Sequence, residues 1–285
     1  MKKRLLWVLF ALVVFTVTGC TGGGELKVIS FNIRFDNPRD GVNAWPARAE
    51  LVSSYLNNRN PDLIGMQEVL WHQYEYLQQA LQGYSSVAAG RDDGISSGEA
   101  CPVFYRRDRF EPLGHGTFWL SETPDVPGSL GPGAVLPRIV TWVHLKETST
   151  GRRLHVFNTH FSHVSDSARI MSSIILSGAV KRISGDGFFV LTGDFNLSPS
   201  SRAYRVLTGE GAPWRVLYDS YLMSSLPPAG PEHTFNGFSD RQGDGRIDYI
   251  FVPAGTRVMS YETEEVKRDS IYISDHWPVK VLISW

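Results

Sequence analysis

The 285-residue chain is poor in cysteine, with only Cys20 and Cys101, and it has no excess of basic residues. Two cysteines exclude a disulfide framework. The 28 lysines and arginines are balanced by 29 aspartates and glutamates. Proteins that hold long polyanions present basic surfaces, so this balance argues against tight, extended contact with nucleic acid. A short or local phosphate group remains an acceptable ligand.

Long apolar runs are also scarce, and the one at residues 5–17 is too short for a permanent membrane-spanning helix. It follows Lys2, Lys3 and Arg4 and precedes "VTGC", which resembles a bacterial lipobox. We therefore expect a signal peptide at 1–19, lipidation of Cys20 and a flexible tether at 20–25. The alternative is an ordinary cleaved signal.

These expectations imply an exported protein, lipid-anchored through Cys20 at the bacterial cell envelope. We separately expect a monomer. Signal removal takes away three of the 28 basic residues and no acidic one, which moves the net charge from −1 to −4. With Cys20 lipidated, Cys101 has no partner within the chain, so packing must supply the stability.

Hydrophobic residues make up 42% of the whole chain, and the remaining residues, 26–285, fit one large domain. Short β-rich apolar runs recur along them, and helices are predicted at about 48–58, 71–81 and 166–183. Several neighbouring strands are joined by turns too short for a crossover helix. This pattern favours a mixed or two-sheet α/β fold over a regular βαβ arrangement.

Polar residues with possible catalytic roles stand at the ends of these strands. Each alone has a structural explanation, because Asn and Asp commonly end strands and begin turns. Strand ends at one edge of a rigid sheet can nevertheless converge on one cleft. The residues are Asn32, Glu68, His160, Asp194, Asn196, Asp248, Asp275 and His276.

Asn32, Glu68 and Asp275 offer hard oxygen ligands, which suit Mg²⁺ or Mn²⁺. His160 and His163 could form a zinc pair, but no cysteine or third histidine lies at a useful spacing, so zinc is the less favoured ion. Phosphoester hydrolysis needs a metal, positive donors and an aligned water. This set of residues supplies all three.

The ordered motifs "SFNIR", "QE", "NTH", "GDFN", "RIDYIF" and "SDHWPV" resemble the endonuclease/exonuclease/phosphatase superfamily. The resemblance covers about residues 26–285 and implies a deoxyribonuclease I-like α/β fold, a four-layer sandwich of two packed mixed β-sheets flanked by helices. It makes Glu68 the principal Mg²⁺ ligand, with Asn32 beside it and Asp275 assisting.

The same resemblance implies the catalytic roles. Asp194 would orient and deprotonate water, and Asn196 would hold that water or a phosphate oxygen. His276 would contact the phosphate and would be oriented by Asp248. His160 would be a second phosphate donor or the acid that protonates the leaving oxygen.

A narrower resemblance, in "NAWPAR", "GRDDG…GE", "FYRRDRF", "GTFWLSETP", "PRIVTW" and "TFNGF", points to a secreted or lipid-anchored bacterial branch. Its residues suggest a substrate-binding rim, with arginines for phosphate oxygens and Trp119 for stacking on a base or sugar. The predicted rim residues are Arg91, Glu99, Tyr105, Trp119, Arg138, His163, Arg169 and Asn236.

The favoured hypothesis is a Mg²⁺-dependent hydrolase of a small or terminal phosphoester, either a monoester or a diester. An extracellular nuclease with a local basic groove is the alternative, since net charge does not exclude such a groove. A third hypothesis is a surface-binding lipoprotein that has lost turnover, but such proteins should lack Glu68, Asp194 or His276, and all three are present.

Overall fold

The computed structural model describes residues 24–209, 217–241, 243 and 245–285. The predicted signal peptide, the lipidation site at Cys20 and most of the tether lie outside these residues, and the first strand begins at Glu25. Within the described ranges, no helix is both long enough and apolar enough to span a membrane. Cys101 is buried and unpaired.

The described residues form strands and helices as follows. The strands are β1 Glu25–Asn32, β2 Leu63–Gln67, β3 Tyr84–Val87, β4 Val103–Arg106, β5 Phe110–Trp119, β6 Ile139–Glu147, β7 Arg153–His160, β8 Phe188–Asp194, β9 Tyr218–Asp219, β10 Asp248–Val252, β11 Arg257–Thr263, β12 Lys267–Arg268, β13 Ile271–Tyr272 and β14 Val279–Ser284. The helices are α1 Trp45–Arg59, α2 Trp71–Ala80, α3 Asp166–Ser184, α4 Arg202–Thr208 and α5 Ser220–Met223.

Two six-stranded mixed sheets dominate the architecture. The first has the order β11-β14-β1-β2-β4-β3 and the second the order β5-β6-β7-β8-β10-β9. Strands β1 and β2 run parallel in the first sheet, as β7 and β8 do in the second. The other pairings within the two sheets are antiparallel.

The sheets pack face to face and helices cover their outer faces. Val28 and Leu63 from the first sheet share a buried cluster with Val156, Val190 and Ile250 from the second. Helices α1 and α2 pack on the outer face of the first sheet, and α3 and α4 on that of the second. Each fully buried aliphatic side chain contributes about 1.5–3 kcal/mol. The four-layer α/β sandwich expected from the resemblance is confirmed.

The three predicted helices are confirmed to within a few residues at their ends. Helix α3 begins where the Ser165 hydroxyl accepts a hydrogen bond from the Ala168 amide, and it ends at Gly185, whose φ is 59°. Strand β5 was not predicted because it contains Pro112 and glycines. A Cβ at Gly116 would lie 3.0 Å from Trp142 Nε1, so any larger residue would require the Trp142 ring to shift.

The inward face of β1 changes from apolar to polar along the strand. Leu26 and Val28 lie in the inter-sheet core, whereas Ser30 accepts a hydrogen bond from the amide of Gly193 in the opposite sheet. Asn32, two residues further, donates to Asp194. One end of the sandwich is therefore filled by apolar side chains and the other by polar ones, and the site lies at the polar end.

Candidate active site

The topology explains why distant residues meet at this end. Parallel pairing places the carboxyl ends of β1 and β2 together, and likewise those of β7 and β8. Strand β10 runs antiparallel to β8, so its first residue, Asp248, pairs with Asp194. Strand β14 is antiparallel to β1, so the segment 274–278 before it lies beside Asn32.

The convergence predicted from the strand ends is therefore present in the structure. The cleft has a volume of about 490 Å³ and is open to solvent on one side. Its lining residues are Arg34, Asp40, Glu68, His160, His163, Asp194, Asn196, Phe235, Gly237, Phe238, Ile247, Asp275 and His276.

A buried polar layer lies between the sheets beneath the cleft. Gln67 donates to Asn158 Oδ1 at 2.7 Å, and Asn158 Nδ2 donates to the carbonyls of Met66 and Pro102 at 2.6 and 2.9 Å. Sequence reasoning missed this layer. Its signal was Asn158 in "NTH", at an inward position two residues before His160. The layer fixes the distance between the two sheets.

Asn32 connects the acidic residues of the site. Its Nδ2 donates to Asp194 Oδ2 at 2.9 Å and to Glu68 Oε1 at 3.1 Å. Its Oδ1 accepts the backbone N–H of Arg34 at 3.0 Å. Asn32 thus presents its nitrogen to both carboxylates, whereas the predicted metal ligation requires its oxygen. That ligand role stays a prediction.

His276 forms a buried, charge-assisted contact with Asp248. Its Nδ1 lies 2.9 Å from Asp248 Oδ2, and its Nε2 lies 3.8 Å from Asp194 Oδ2. Burial would lower the pKa of His276, but the charges of Asp248 and Asp194 outweigh it and raise the pKa well above the usual value. The ring is therefore an imidazolium at neutral pH, with an N–H at Nε2.

Asp194 is 1% exposed. Burial, followed by the charge of Asp248, raises the pKa of Asp194 to about 7. Its Oδ1 accepts the backbone N–H of Asn196 at 3.0 Å. A carboxyl group that titrates near neutral pH is suited to take a proton from water.

His160 lies on the other side of Asp194, with Nε2 at 3.5 Å from Asp194 Oδ2. Burial, reinforced by the charges of Arg138 and Arg91, lowers the pKa of His160 well below its usual value. The ring is neutral at pH 7. Asn196 Nδ2 lies 3.0 Å from Nε2 and also donates to a carbonyl, so Nε2 accepts and Nδ1 carries the proton. The predicted donor role of His160 thus requires the other tautomer.

Glu68 and Asp275 face Arg34, which sequence reasoning did not select. Asp40 accepts two hydrogen bonds from Arg34, at 2.9 and 3.0 Å. Arg34 Nη1 lies 3.6 Å from Asp275 Oδ2 and 4.0 Å from Glu68 Oε2. Arg34, Glu68 and Asn196 all have φ between 50° and 60°. Such backbone strain in non-glycine residues is concentrated at functional sites.

The residues present fit a hard divalent cation. Glu68, His160 and Asp194 each place one ligand atom within 4.8 Å of the others. Burial, with a contribution from Glu68, raises the pKa of the neighbouring Asp275. Carboxylates gathered in this way are stabilised by a cation, and their oxygens are the donors that Mg²⁺ and Mn²⁺ prefer.

Of the eight predicted rim residues, only His163 lines the cleft. Three of the others need correction because they are buried and pack within the protein. Tyr105 is 4% exposed and packs between the sheets. Trp119 is also 4% exposed, its Nε1 donates to the Arg91 carbonyl at 2.7 Å, and it lies outside the lining of the cleft. Asn236 is buried and donates to the Ser274 carbonyl, which secures the segment carrying His276.

The other rim residues form supporting contacts around the site. Arg91 donates to Glu99 Oε2 at 2.7 Å, and this oxygen lies 3.8 Å from His160 Nδ1. Arg138 is buried beside the same cluster, and Arg169 donates to the Ser162 carbonyl at 2.7 Å. Their roles in substrate binding stay predictions.

Comparison with known proteins identifies the family to which the chain belongs and several solved structures that are similar to it. The model of the Endonuclease/Exonuclease/phosphatase family matches residues 29–276. An endonuclease/exonuclease/phosphatase from Bacteroides vulgatus is 37% identical with a TM-score of 0.85, and the match covers 91% of this chain and 98% of that one. The mannosyl-6-phosphatase Bt3783 of Bacteroides thetaiotaomicron is 36% identical with a TM-score of 0.83, covering 91% and 100%. Nocturnin of Drosophila melanogaster is 26% identical over 182 residues, 58% of this chain but 26% of that protein.

Proposed function

Because the chain belongs to the endonuclease/exonuclease/phosphatase family and is a phosphoester hydrolase, we propose that it uses Mg²⁺ to hydrolyse a small or terminal phosphoester at the bacterial cell envelope. The observation that carries the proposal is the position of Asp194 between Glu68 and the His276–Asp248 pair in one cleft.

The side chains have complementary roles in this reaction. Asp194 takes a proton from the attacking water, and the His276 imidazolium donates from Nε2 to a phosphate oxygen as negative charge develops. Asp248 holds the ring through Nδ1. Asn196 orients the water or a phosphate oxygen. Mg²⁺ held by Glu68 and Asp275 would polarise the phosphate when bound.

A small substrate is favoured by the size and charge of the cleft. A cleft of about 490 Å³ suits a ligand of sugar or nucleotide size. Its lining has carboxylates on Asp40, Glu68, Asp194 and Asp275 and no run of lysines or arginines. The 36% identical relative is a mannosyl-6-phosphatase, which supports a sugar phosphate monoester.

A substrate panel tests the proposal directly. Sugar phosphates, nucleotides, inositol phosphates, a lipid phosphodiester, plasmid DNA and RNA are assayed with Mg²⁺ and with chelator. Activity on small esters is expected, with a loss of about 10²–10⁴-fold in Asp194→Ala and about 10²–10³-fold in His276→Ala. Asp186→Ala and His72→Ala are matched surface controls, since their side chains are 98% and 54% exposed. Preferential degradation of DNA or RNA would support the nuclease alternative, and unchanged turnover in Asp194→Ala would refute the site.

The cell-envelope location depends on Cys20, which stays a prediction. We expect the wild-type protein in the membrane fraction after expression in a bacterium, and Cys20→Ser in the soluble fraction. Cys101→Ser is the control for loss of a thiol. Identical fractionation of wild type and Cys20→Ser would contradict the anchor.

A further inference from the structure

Phe235 is an exposed aromatic side chain inside the catalytic cleft. It is 45% exposed, and its ring centroid lies 5.1 Å from that of His276 in an edge-to-face arrangement. An isolated β-bridge between Phe235 and His276 fixes the backbone positions of the two residues. The other phenyl of the lining, Phe238, packs against Tyr272 instead. Phe235 therefore offers an exposed apolar surface next to the His276 ring.

His163 gives the same cleft a neutral hydrogen-bond donor. Arg138 Nη2 lies 3.2 Å from His163 Nδ1, and because a guanidinium only donates, Nδ1 accepts and Nε2 carries the proton. Burial and the charge of Arg138 lower the pKa of His163, so the ring remains neutral at pH 7. Arg138 is 5% exposed, which keeps this arrangement in place.

The remaining charges of the cleft disfavour a second anionic group on the substrate. Arg34 is held by two hydrogen bonds to Asp40 and lies near Glu68 and Asp275. His276 is held by Asp248. A second phosphate would meet carboxylates without a free cation among the lining residues that the structure describes, so the part of the substrate beyond the scissile phosphate should be uncharged.

We propose that Phe235 and His163 form the leaving-group subsite and select a sugar ring. A pyranose has an apolar C–H face that packs on an aromatic ring and hydroxyl oxygens that accept an N–H. This inference rests on the proposed function and identifies its substrate class as a sugar monophosphate. Phe235 takes the stacking role that the sequence assigned to Trp119.

The test compares a cyclic and an acyclic ester of the same charge. Mannose 6-phosphate and glycerol 3-phosphate are assayed with wild type, Phe235→Ala, Phe235→Tyr, His163→Phe and the control Leu222→Ala, whose side chain is 66% exposed. An aromatic contact of about 0.5–1.5 kcal/mol predicts a 2- to 12-fold rise in KM for mannose 6-phosphate in Phe235→Ala. Phe235→Tyr should restore KM, and His163→Phe should weaken the sugar ester selectively. Glycerol 3-phosphate and Leu222→Ala should show no change.

The possible results separate this inference from the proposed function. A wild type inactive on every phosphoester refutes both. An active wild type for which Phe235→Ala lowers hydrolysis of both esters equally shows that Phe235 acts only through His276, and the sugar subsite is then wrong. A greater loss with a nucleoside 5′-monophosphate than with mannose 6-phosphate also overturns it, because the aromatic surface would then bind a base.

Discussion

Replacing Asp248 by asparagine separates the orientation of His276 from its charge. The Asp248 carboxylate lies 2.9 Å from His276 Nδ1, and both residues are buried. Asparagine has nearly the same shape and can still accept the Nδ1 proton through its amide oxygen. The substitution therefore preserves the tautomer and removes one negative charge next to the ring.

The size of the effect follows from the difference between the two kinds of hydrogen bond. A charge-assisted bond contributes about 1.5–3 kcal/mol and a neutral one about 0.5–1.5 kcal/mol. The difference of about 1–1.5 kcal/mol corresponds to a fall of roughly 5- to 12-fold in kcat. His276→Ala removes the donor itself, so its loss of about 10²–10³-fold should be larger.

The pH dependence provides a second measurement on the same variant. The carboxylates raise the pKa of His276 in the folded protein, so the active imidazolium persists below that pKa and is lost as the pH rises through it. Removing the charge of Asp248 should move the alkaline limb of the kcat profile to lower pH. The assay is kcat from pH 6 to 10 at saturating substrate and Mg²⁺. An alkaline limb at the same pH in Asp248→Asn and wild type would refute the reasoning.

Three further predictions concern the metal, the sheet contact and acid stability. Glu68→Gln should raise the Mg²⁺ concentration for half-maximal activity more than tenfold. The control Glu75→Gln, on the exposed face of α2, should leave that concentration unchanged. Equal Mg²⁺ titrations for Glu68→Gln and wild type would contradict the ligand role. In Gly65→Ala the new Cβ would collide with Thr192 Oγ1 and Asn158 Oδ1, so the free energy of unfolding measured in urea should fall by about 3 kcal/mol or more. In the control Gly83→Ala, where the new Cβ has no atom within 4 Å, it should fall by less than about 1 kcal/mol. Burial, with the charge of His144, lowers the pKa of His155 to about 4, so the neutral ring favours folding above about pH 6.5 and this contribution is lost as the pH falls toward 4. Between pH 7 and 4.5, the free energy of unfolding should therefore fall by about 1–2 kcal/mol less in His155→Phe than in wild type, after allowance for solvent screening. An equal fall in the two proteins would contradict the prediction.

The sequence predicted the members of the site that stand at strand ends, because strand direction and register bring such positions to one edge. Asn32 ends β1, Asp194 ends β8 and Asp248 begins β10. Asp248 pairs with Asp194 in the second sheet, and Asn32 donates to Asp194 from the first. The sheet to which each strand belongs could not be predicted, since short apolar runs carry no information about partner strands. The two-sheet arrangement came from the family resemblance.

The errors concern residues whose role depends on packing between distant segments. Tyr105 and Trp119 are predicted rim residues because they lie in motifs that resemble a secreted or lipid-anchored branch of the family, but the second sheet and the Arg91 loop bury them. Phe235 is the opposite case, because it lines the cleft but is not among the predicted rim residues. It is a loop residue with no periodic signal, and only its bridge to His276 places it in the cleft. Arg34 was missed because an arginine after a strand is normally a solvated side chain.

The carboxylate of Asp248 affects both the base of this cleft, Asp194, and its acid, His276. Burial favours the uncharged form of any group, so it raises the pKa of Asp194 and on its own would lower that of His276. The charge of Asp248 adds to the upward shift of the Asp194 pKa, which is raised to about 7. Together with the charge of Asp194, it also outweighs the effect of burial on the pKa of His276. A base that is deprotonated near neutral pH and an acid that stays protonated above it can therefore coexist 3.8 Å apart. The antiparallel pairing of β10 with β8 places Asp248 opposite Asp194 and within reach of His276, so the order of strands in the second sheet positions the charge that shifts both pKa values upward.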